Sequence, residues 1–164
     1  MITKIFQLEL AKKDEYEEYD FKKLDSSTFD NKMFFPDPTM FDWWGDAEDI
    51  KGSFSKLVSE LPDGMFEANE EEMSLTYVKR PDNAIQEYFD KIREKANELT
   101  LVNYYGGNDC LFELEMFIKQ GGYGDMIYNC IDGYPSYLKD WILWVATTCI
   151  IGTKYYLGGV IDCQ

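Results

Sequence analysis

A chain of 164 residues with 45% hydrophobic and 16% aromatic side chains is long enough to bury one core and too apolar to stay disordered. It carries 31 acidic against 16 basic residues, a formal net charge of −15, and no histidine. That balance repels nucleic acid and anionic membranes, and the missing histidine rules out Ser-His-Asp and Cys-His catalysis.

In chain order, residues 2–10 alternate, with Phe6, Leu8 and Leu10 on one face and Gln7 and Glu9 on the other, which predicts a half-buried strand. A charged stretch follows over 12–23, with Tyr16, Tyr19 and Phe21 set into it, and then a turn-rich stretch over 25–30. Residues 33–49 contain two prolines and a glycine and read as an irregular loop. This loop combines three Phe and two Trp with five carboxylates, Asp37, Asp42, Asp46, Glu48 and Asp49. Rings that a loop cannot fully bury, interleaved with carboxylates, have the composition of a contact surface.

Asp46 is placed to cap a helix reaching Leu61, with Ala47, Ile50, Phe54, Leu57, Val58 and Leu61 on one face; Pro62, Asp63 and Gly64 end it. Residues 65–80 read as one or two strands, with Glu70, Glu71 and Glu72 turning the chain after Asn69. Asp82 or Asn83 caps a clearly amphipathic helix to Leu99, with Ile85, Tyr88, Phe89, Ile92, Ala96 and Leu99 inward and a solvated charged face outward. A short strand is expected at 101–105, then a largely buried helix over 109–120 closed by Gly121 and Gly122. Residues 125–132 are expected to add one or two helical turns.

The densest apolar run, 134–158, is expected to form one central helix with Ser136 as N-cap and apolar stripes on both sides. Its uncharged part, between Asp140 and Lys154, is 13 residues, short of the ~20 that a bilayer core requires. The last residues are expected to add a strand. The expected fold is α+β: a single domain over 1–164, several helices around this buried C-terminal helix, and a small antiparallel sheet.

The cysteines, Cys110, Cys130, Cys149 and Cys163, are separated by 20, 19 and 14 residues, so no C-x-x-C or zinc spacing exists. Three of them sit in apolar runs, which suits reduced thiols in a cytoplasmic protein, with two disulfides the alternative in an exported one; no catalytic cysteine is expected. The glycine pair Gly106-Gly107 before a helix lacks the rest of a phosphate-binding motif, and Asp109 and Glu113 would repel an anion. No EF-hand pattern and no cofactor signature is present.

The negative charge is spread along the chain, with net charges of −7, −4 and −4 over 1–50, 51–100 and 101–164. In charge and size the chain is similar to acidic immunity proteins that neutralise cationic toxins, and to acidic DNA-mimic or anti-defence proteins of phages and mobile elements. That likeness is compositional, rests on no motif and transfers no residue. The expected function is a non-enzymatic inhibitor of a basic protein partner, either a nuclease toxin or a nucleic-acid-binding defence protein, needing no metal or cofactor. The expected anchors are Trp43 and Trp44, within a surround of Asp37, Asp42, Asp46, Glu48 and Asp49. Two alternatives are a small hydrolase using carboxylate or metal chemistry, and a structural subunit of a larger assembly.

Overall fold

The computed structural model describes residues 2–10, 44–105, 110–120, 124–129 and 134–164. The strands in chain order are β1 (Thr3–Glu9), β2 (Trp44–Asp46), β3 (Phe66–Asn69), β4 (Ser74–Tyr77), β5 (Met126–Asn129), β6 (Tyr134–Tyr137) and β7 (Lys154–Cys163). The helices are α1 (Ile50–Glu60), α2 (Asp82–Asn97), α3 (Leu101–Tyr105), α4 (Cys110–Gln120) and α5 (Leu138–Thr148). The α+β class expected from the sequence holds. The organising element differs: it is a seven-stranded sheet, not a helix, with the order β3-β4-β7-β1-β5-β6 and β2 also paired to β7.

β7 is the spine of this sheet. Along one edge it pairs antiparallel with β1 from Tyr156 to Cys163. Along the other it takes β4 at Lys154–Tyr156 and β2 at Ile161–Cys163. The sheet is mixed rather than antiparallel, because β1 runs parallel to β5, with Ile5 opposite Met126 and Leu8 opposite Asn129.

The expected 134–158 helix is therefore three elements. Tyr134–Tyr137 pairs with β5, the helix occupies only Leu138–Thr148, and Lys154 onward is strand. The physical reason lies in the run after Thr148. Cys149 is already extended, Gly152 takes φ +99°, a conformation favoured by glycine, and the Tyr, Leu, Val and Ile that follow suit a pleated sheet. Ser136 lies in β6 and does not cap the helix; Tyr137 is the N-cap residue and contributes no side-chain bond. Residues 126–129, expected as helical turns, form strand β5 beside β1.

β1 is buried on both faces, not one: Ile5, Phe6, Gln7, Leu8 and Glu9 are all buried, with Phe6 and Leu8 in one hydrophobic cluster and Ile5 in another. Phe6 and Leu8 join the larger core with Leu75, Tyr155, Leu157 and Val160 of the sheet. Phe54 and Leu57 of α1, with Trp141, Ile142 and Val145 of α5, cover that face. Trp141 stacks on Phe66 at 5.5 Å and meets Tyr155 edge-on at 5.4 Å, so aromatic packing joins α5 to the sheet. Ile5, Met126, Ile161 and Cys163 gather as a second cluster, with Tyr128 and Tyr137 packed against it.

The bulge between Gln7 and Leu8 of β1 falls where β7 has its Gly158-Gly159 pair. A Cβ on Gly158 would lie inside contact distance of the Glu9 carboxylate, so the glycine makes room for that buried acid.

The β3–β4 hairpin turns as expected: Asn69 Oδ1 accepts from the backbone N–H groups of Glu71 (3.0 Å) and Glu72 (3.2 Å). Helix α1 ends at Glu60, ahead of Pro62, also as expected. It starts later than expected, because Trp44–Asp46 are held in strand β2.

Candidate partner-binding surfaces

The 33–49 stretch is described from residue 44 onward. Asp37, Asp42 and Trp43 lie outside the described residues. Trp44 is not in an irregular loop but in β2, opposite Cys163. Asp46 is opposite Ile161 and exposed, and Glu48 is exposed beyond it. Asp49, not Asp46, caps α1: its Oδ1 accepts from the Gly52 N–H at 2.8 Å, and its carbonyl accepts from the Ser53 N–H at 3.0 Å. A Cβ at Gly52 would collide with that carboxylate, so Asp49 and Gly52 form one capping unit. Asp46, Glu48 and Asp49 are thus brought to one exposed corner of the sheet, with the role of Asp49 partly structural.

Two further acidic stations follow. Glu67, Glu70 and Glu71 stand exposed on the β3–β4 hairpin. Glu87, Asp90, Glu94 and Glu98 are exposed along and just beyond α2. Several cations, by contrast, are engaged in ion pairs. Lys4 Nζ meets Asp162 at 2.6 Å, Lys154 Nζ meets Glu72 at 2.6 Å, and Arg80 meets Asp82 at 2.5 Å.

A polar cluster lies at the start of β5. The Asp125 carboxylate, only 5% exposed, accepts from the backbone N–H of Lys4 at 2.8 Å and from Lys56 Nζ at 2.5 Å. Burial pulls the Lys56 ammonium pKa down, but the hydrogen bond and charge of Asp125, helped by Glu60, outweigh it and hold the pKa above the usual lysine value. Burial, and next the charge of Asp125, push the Glu60 carboxyl up against the opposing pull of Lys56. These contacts tie β1, α1 and β5 together. Among the described residues no group of three or more His, Cys, Asp or Glu side chains is placed to hold a metal ion.

Sequence reasoning missed one surface. Helix α2 forms as expected, though its N-cap is Pro81 and neither Asp82 nor Asn83 caps it. None of its residues is buried: Ile85, Tyr88 and Ile92 are half-covered, as is Leu99 just beyond it, and Phe89 and Ala96 are exposed. The 101–105 stretch is a helix rather than a strand, and Leu101 and Val102 are 77% and 82% exposed. Helix α4, expected to be largely buried, leaves Leu111, Phe112 and Ile118 exposed.

α4 packs against α2 and α3. Lys95 of α2 (5.5 Å) and Lys139 of α5 (5.6 Å) both reach the Phe117 ring. Lys139 Nζ also donates to the carbonyls of Phe117 (3.0 Å) and Ile118 (3.1 Å), fastening the end of α4 to α5. The signal available in the sequence was the wide apolar spread of α4, which fits an exposed contact face as well as a buried helix.

A cleft of about 600 Å³ opens between the end of α1 and the start of α2. It is lined by Asp63, Lys79, Arg80, Asp82 and Glu87 among others, so both signs of charge face it.

Cys163 is fully buried, and burial, then the charges of Asp162 and Asp125, push its thiol up to about 12. Cys149 lies 3.0 Å from the Tyr155 hydroxyl at the edge of the core. The Cys110 side chain and Cys130 lie outside the described residues. Among the described residues no helix is long and apolar enough to cross a membrane. No protein-family model, no curated protein and no solved structure matches this chain.

Proposed function

We propose that this chain is a non-enzymatic acidic binding protein that neutralises a basic protein partner, either a nuclease toxin or a nucleic-acid-binding defence protein. The observation that carries this reading is the disposition of charge. Carboxylates stand exposed at the β2–α1 corner, on the β3–β4 hairpin and along α2, while Lys4, Lys56, Arg80 and Lys154 are engaged by carboxylates of the same chain. Exposed Lys51, Lys79, Lys91 and Arg93 offset part of this charge, but a net charge of −15 leaves a negative field at long range. Such a field steers a cationic partner into encounter and raises its on-rate by up to about 10²–10³ at low salt. It also competes for a cleft that otherwise holds nucleic-acid phosphates. Asp37, Asp42, Asp46, Glu48 and Asp49 are the proposed charged surround, and Trp43 and Trp44 the proposed anchors.

The test is to immobilise the full chain and recover partners from an extract of its source at low and at high salt. The expected partner is basic, is released by salt, and loses its nucleic-acid binding or cleavage when the chain is added. Recovery of only neutral or acidic partners, held equally at both salt concentrations, would contradict the proposal.

A further inference from the structure

A strand at the edge of a sheet leaves a row of backbone donors and acceptors unpaired, and the bonds already made show which residues supply them. β3 stands at one end of the strand order, and among the described residues it pairs only with β4, Phe66 opposite Tyr77 and Ala68 opposite Leu75. The Tyr77 N–H donates to the Thr153 carbonyl at 2.8 Å, and the Tyr77 carbonyl accepts from the Gly152 N–H at 2.7 Å, both on the side of β7. Val78, one residue on, turns its N–H the other way, to the Met65 carbonyl at 3.0 Å. Alternation therefore directs the backbone groups of Leu75 and Tyr77 toward β7, and those of Ser74 and Thr76 toward β3. On β3 it directs Glu67 and Asn69 toward β4 and turns the N–H and C=O groups of Phe66 and Ala68 to the outer edge. Glu67 and Ala68 are exposed there. β6, at the other end of the order, carries Pro135, which has no N–H to offer.

We infer that the outer edge of β3 takes an extended, lysine- or arginine-bearing segment of the partner as an added antiparallel strand. The inference rests on the reading of the chain as a binder of basic proteins and names the kind of segment bound and the contact that holds it. The charge around the edge selects the occupant. Residues 63–78 hold five acids, Asp63, Glu67, Glu70, Glu71 and Glu72, and no base. Glu72 is paired with Lys154, while Glu67, Glu70 and Glu71 stand exposed on the hairpin. Lys79 is exposed beside Met65, at the end of β3 away from the hairpin turn. Phe66 stacks on Trp141 of α5, so Glu67, the next residue of a pleated strand, projects from the other face. In an added antiparallel strand, the residues opposite Phe66 and Ala68 exchange hydrogen bonds with them. The residue opposite Glu67 falls in the closely spaced, non-hydrogen-bonded position, where a lysine lies directly against the carboxylate. Short length and charge also guard an edge against self-pairing. Here they oppose a second copy, which would set Glu67, Glu70 and Glu71 against like charges, and leave a cationic strand as the complement.

The experiment uses the full chain and a capped peptide of alternating lysine and threonine. The same peptide is also made N-methylated at the threonines, N-methylated at the lysines, and with every lysine replaced by glutamate. Affinity is measured by titration calorimetry at low salt, and hydrogen exchange of the Phe66 and Ala68 amides is followed by NMR. With lysine opposite Glu67, the threonines fall opposite Phe66 and Ala68. Methylated threonines cannot donate to the edge, so that peptide should bind roughly tenfold or more weakly, as expected for the loss of about two hydrogen bonds. The lysine amides point away from β3, and methylating them should leave the affinity unchanged. The parent peptide should slow exchange at both amides, and the glutamate peptide should not bind. Ala68→Pro, which removes an outward N–H and no bond to β4, should weaken the parent peptide, and Glu67→Lys should weaken it several-fold. Circular dichroism checks that both variants fold, and the methylated peptides decide the question on the wild type alone. Equal binding of the two methylated peptides, or Phe66 and Ala68 amides left unprotected in the complex, overturns the edge pairing while the affinity for basic partners stands. If the parent peptide does not bind at low salt, the inference fails, and recovery of a basic partner from the extract decides separately whether the proposed function stands. A wild-type dimer in sedimentation velocity that Ala68→Pro abolishes makes a second copy the occupant and overturns the inference.

Discussion

Cys163 and Asp125 show how single residues are set by their surroundings. A thiol whose pKa is pushed to about 12 by burial and by the charges of Asp162 and Asp125 is protonated at any working pH. Reactivity belongs to the thiolate, so Cys163 should resist an alkylating reagent at pH 8 in the native protein and react once the chain is unfolded. Rapid native-state labelling at this position, read by peptide mass spectrometry, would contradict that placement. Asp125 is a buried acceptor for a backbone N–H and an ammonium, and Asp125→Ala should cost about 1–3 kcal/mol in denaturant unfolding.

Glu60 sits beside this cluster with its folded-state pKa above the ordinary glutamate value, through burial and the charge of Asp125. Between the two values the folded chain holds more of the proton than the unfolded chain. Stability from this group is therefore highest at low pH and falls as pH rises through that window. Glu60→Gln should remove that fall and match or slightly exceed wild-type stability at pH 7. The effect should be about 0.5 kcal/mol or less, because Glu60 is substantially exposed and ion-paired to Lys56 at 3.7 Å.

At the scale of elements, the two-sided apolar run 134–158 could satisfy a helix or a buried strand, and it satisfies both in succession. The break falls where Gly152 turns to φ +99° with open space around it. Gly152→Ala should therefore cost about 1–2 kcal/mol from backbone strain alone, with no steric contribution. The first half of the run was legible: Trp141, Ile142 and Val145 are buried as their spacing implies. The second half was not, because the two-residue step from Tyr155 to Leu157 becomes three at Val160, where a bulge at Gly158-Gly159 shifts the register. The helix over 82–97 was legible in type but not in environment. Its spacing gave the apolar stripe, and only the structure shows that Ile85, Tyr88 and Ile92 are half-covered while Phe89 stays exposed. Truncation at Phe89 should accordingly cost less than about 1 kcal/mol, against about 3–5 kcal/mol for Phe54→Ala on α1, which buries its ring completely. Equal losses in the two variants would mean that α2 is packed into the core after all.

For the whole molecule, charge was the most legible property, because no folding can remove an excess of 31 acids over 16 bases. Its arrangement was only partly legible. The sequence placed Asp46, Glu48 and Asp49 near one another, but not the capping role that commits Asp49 to α1. Nor could it show that Lys4 and Lys154 pair across strands with Asp162 and Glu72 at separations of 158 and 82 residues.

The central claim is that this surface charge drives capture of a basic partner. The most direct measurement is the association rate constant with the recovered partner as ionic strength is raised from about 20 mM to about 500 mM, where the screening length contracts several-fold. The rate should fall roughly tenfold or more over that range while the dissociation rate changes little. An association rate that is flat across it would contradict the account.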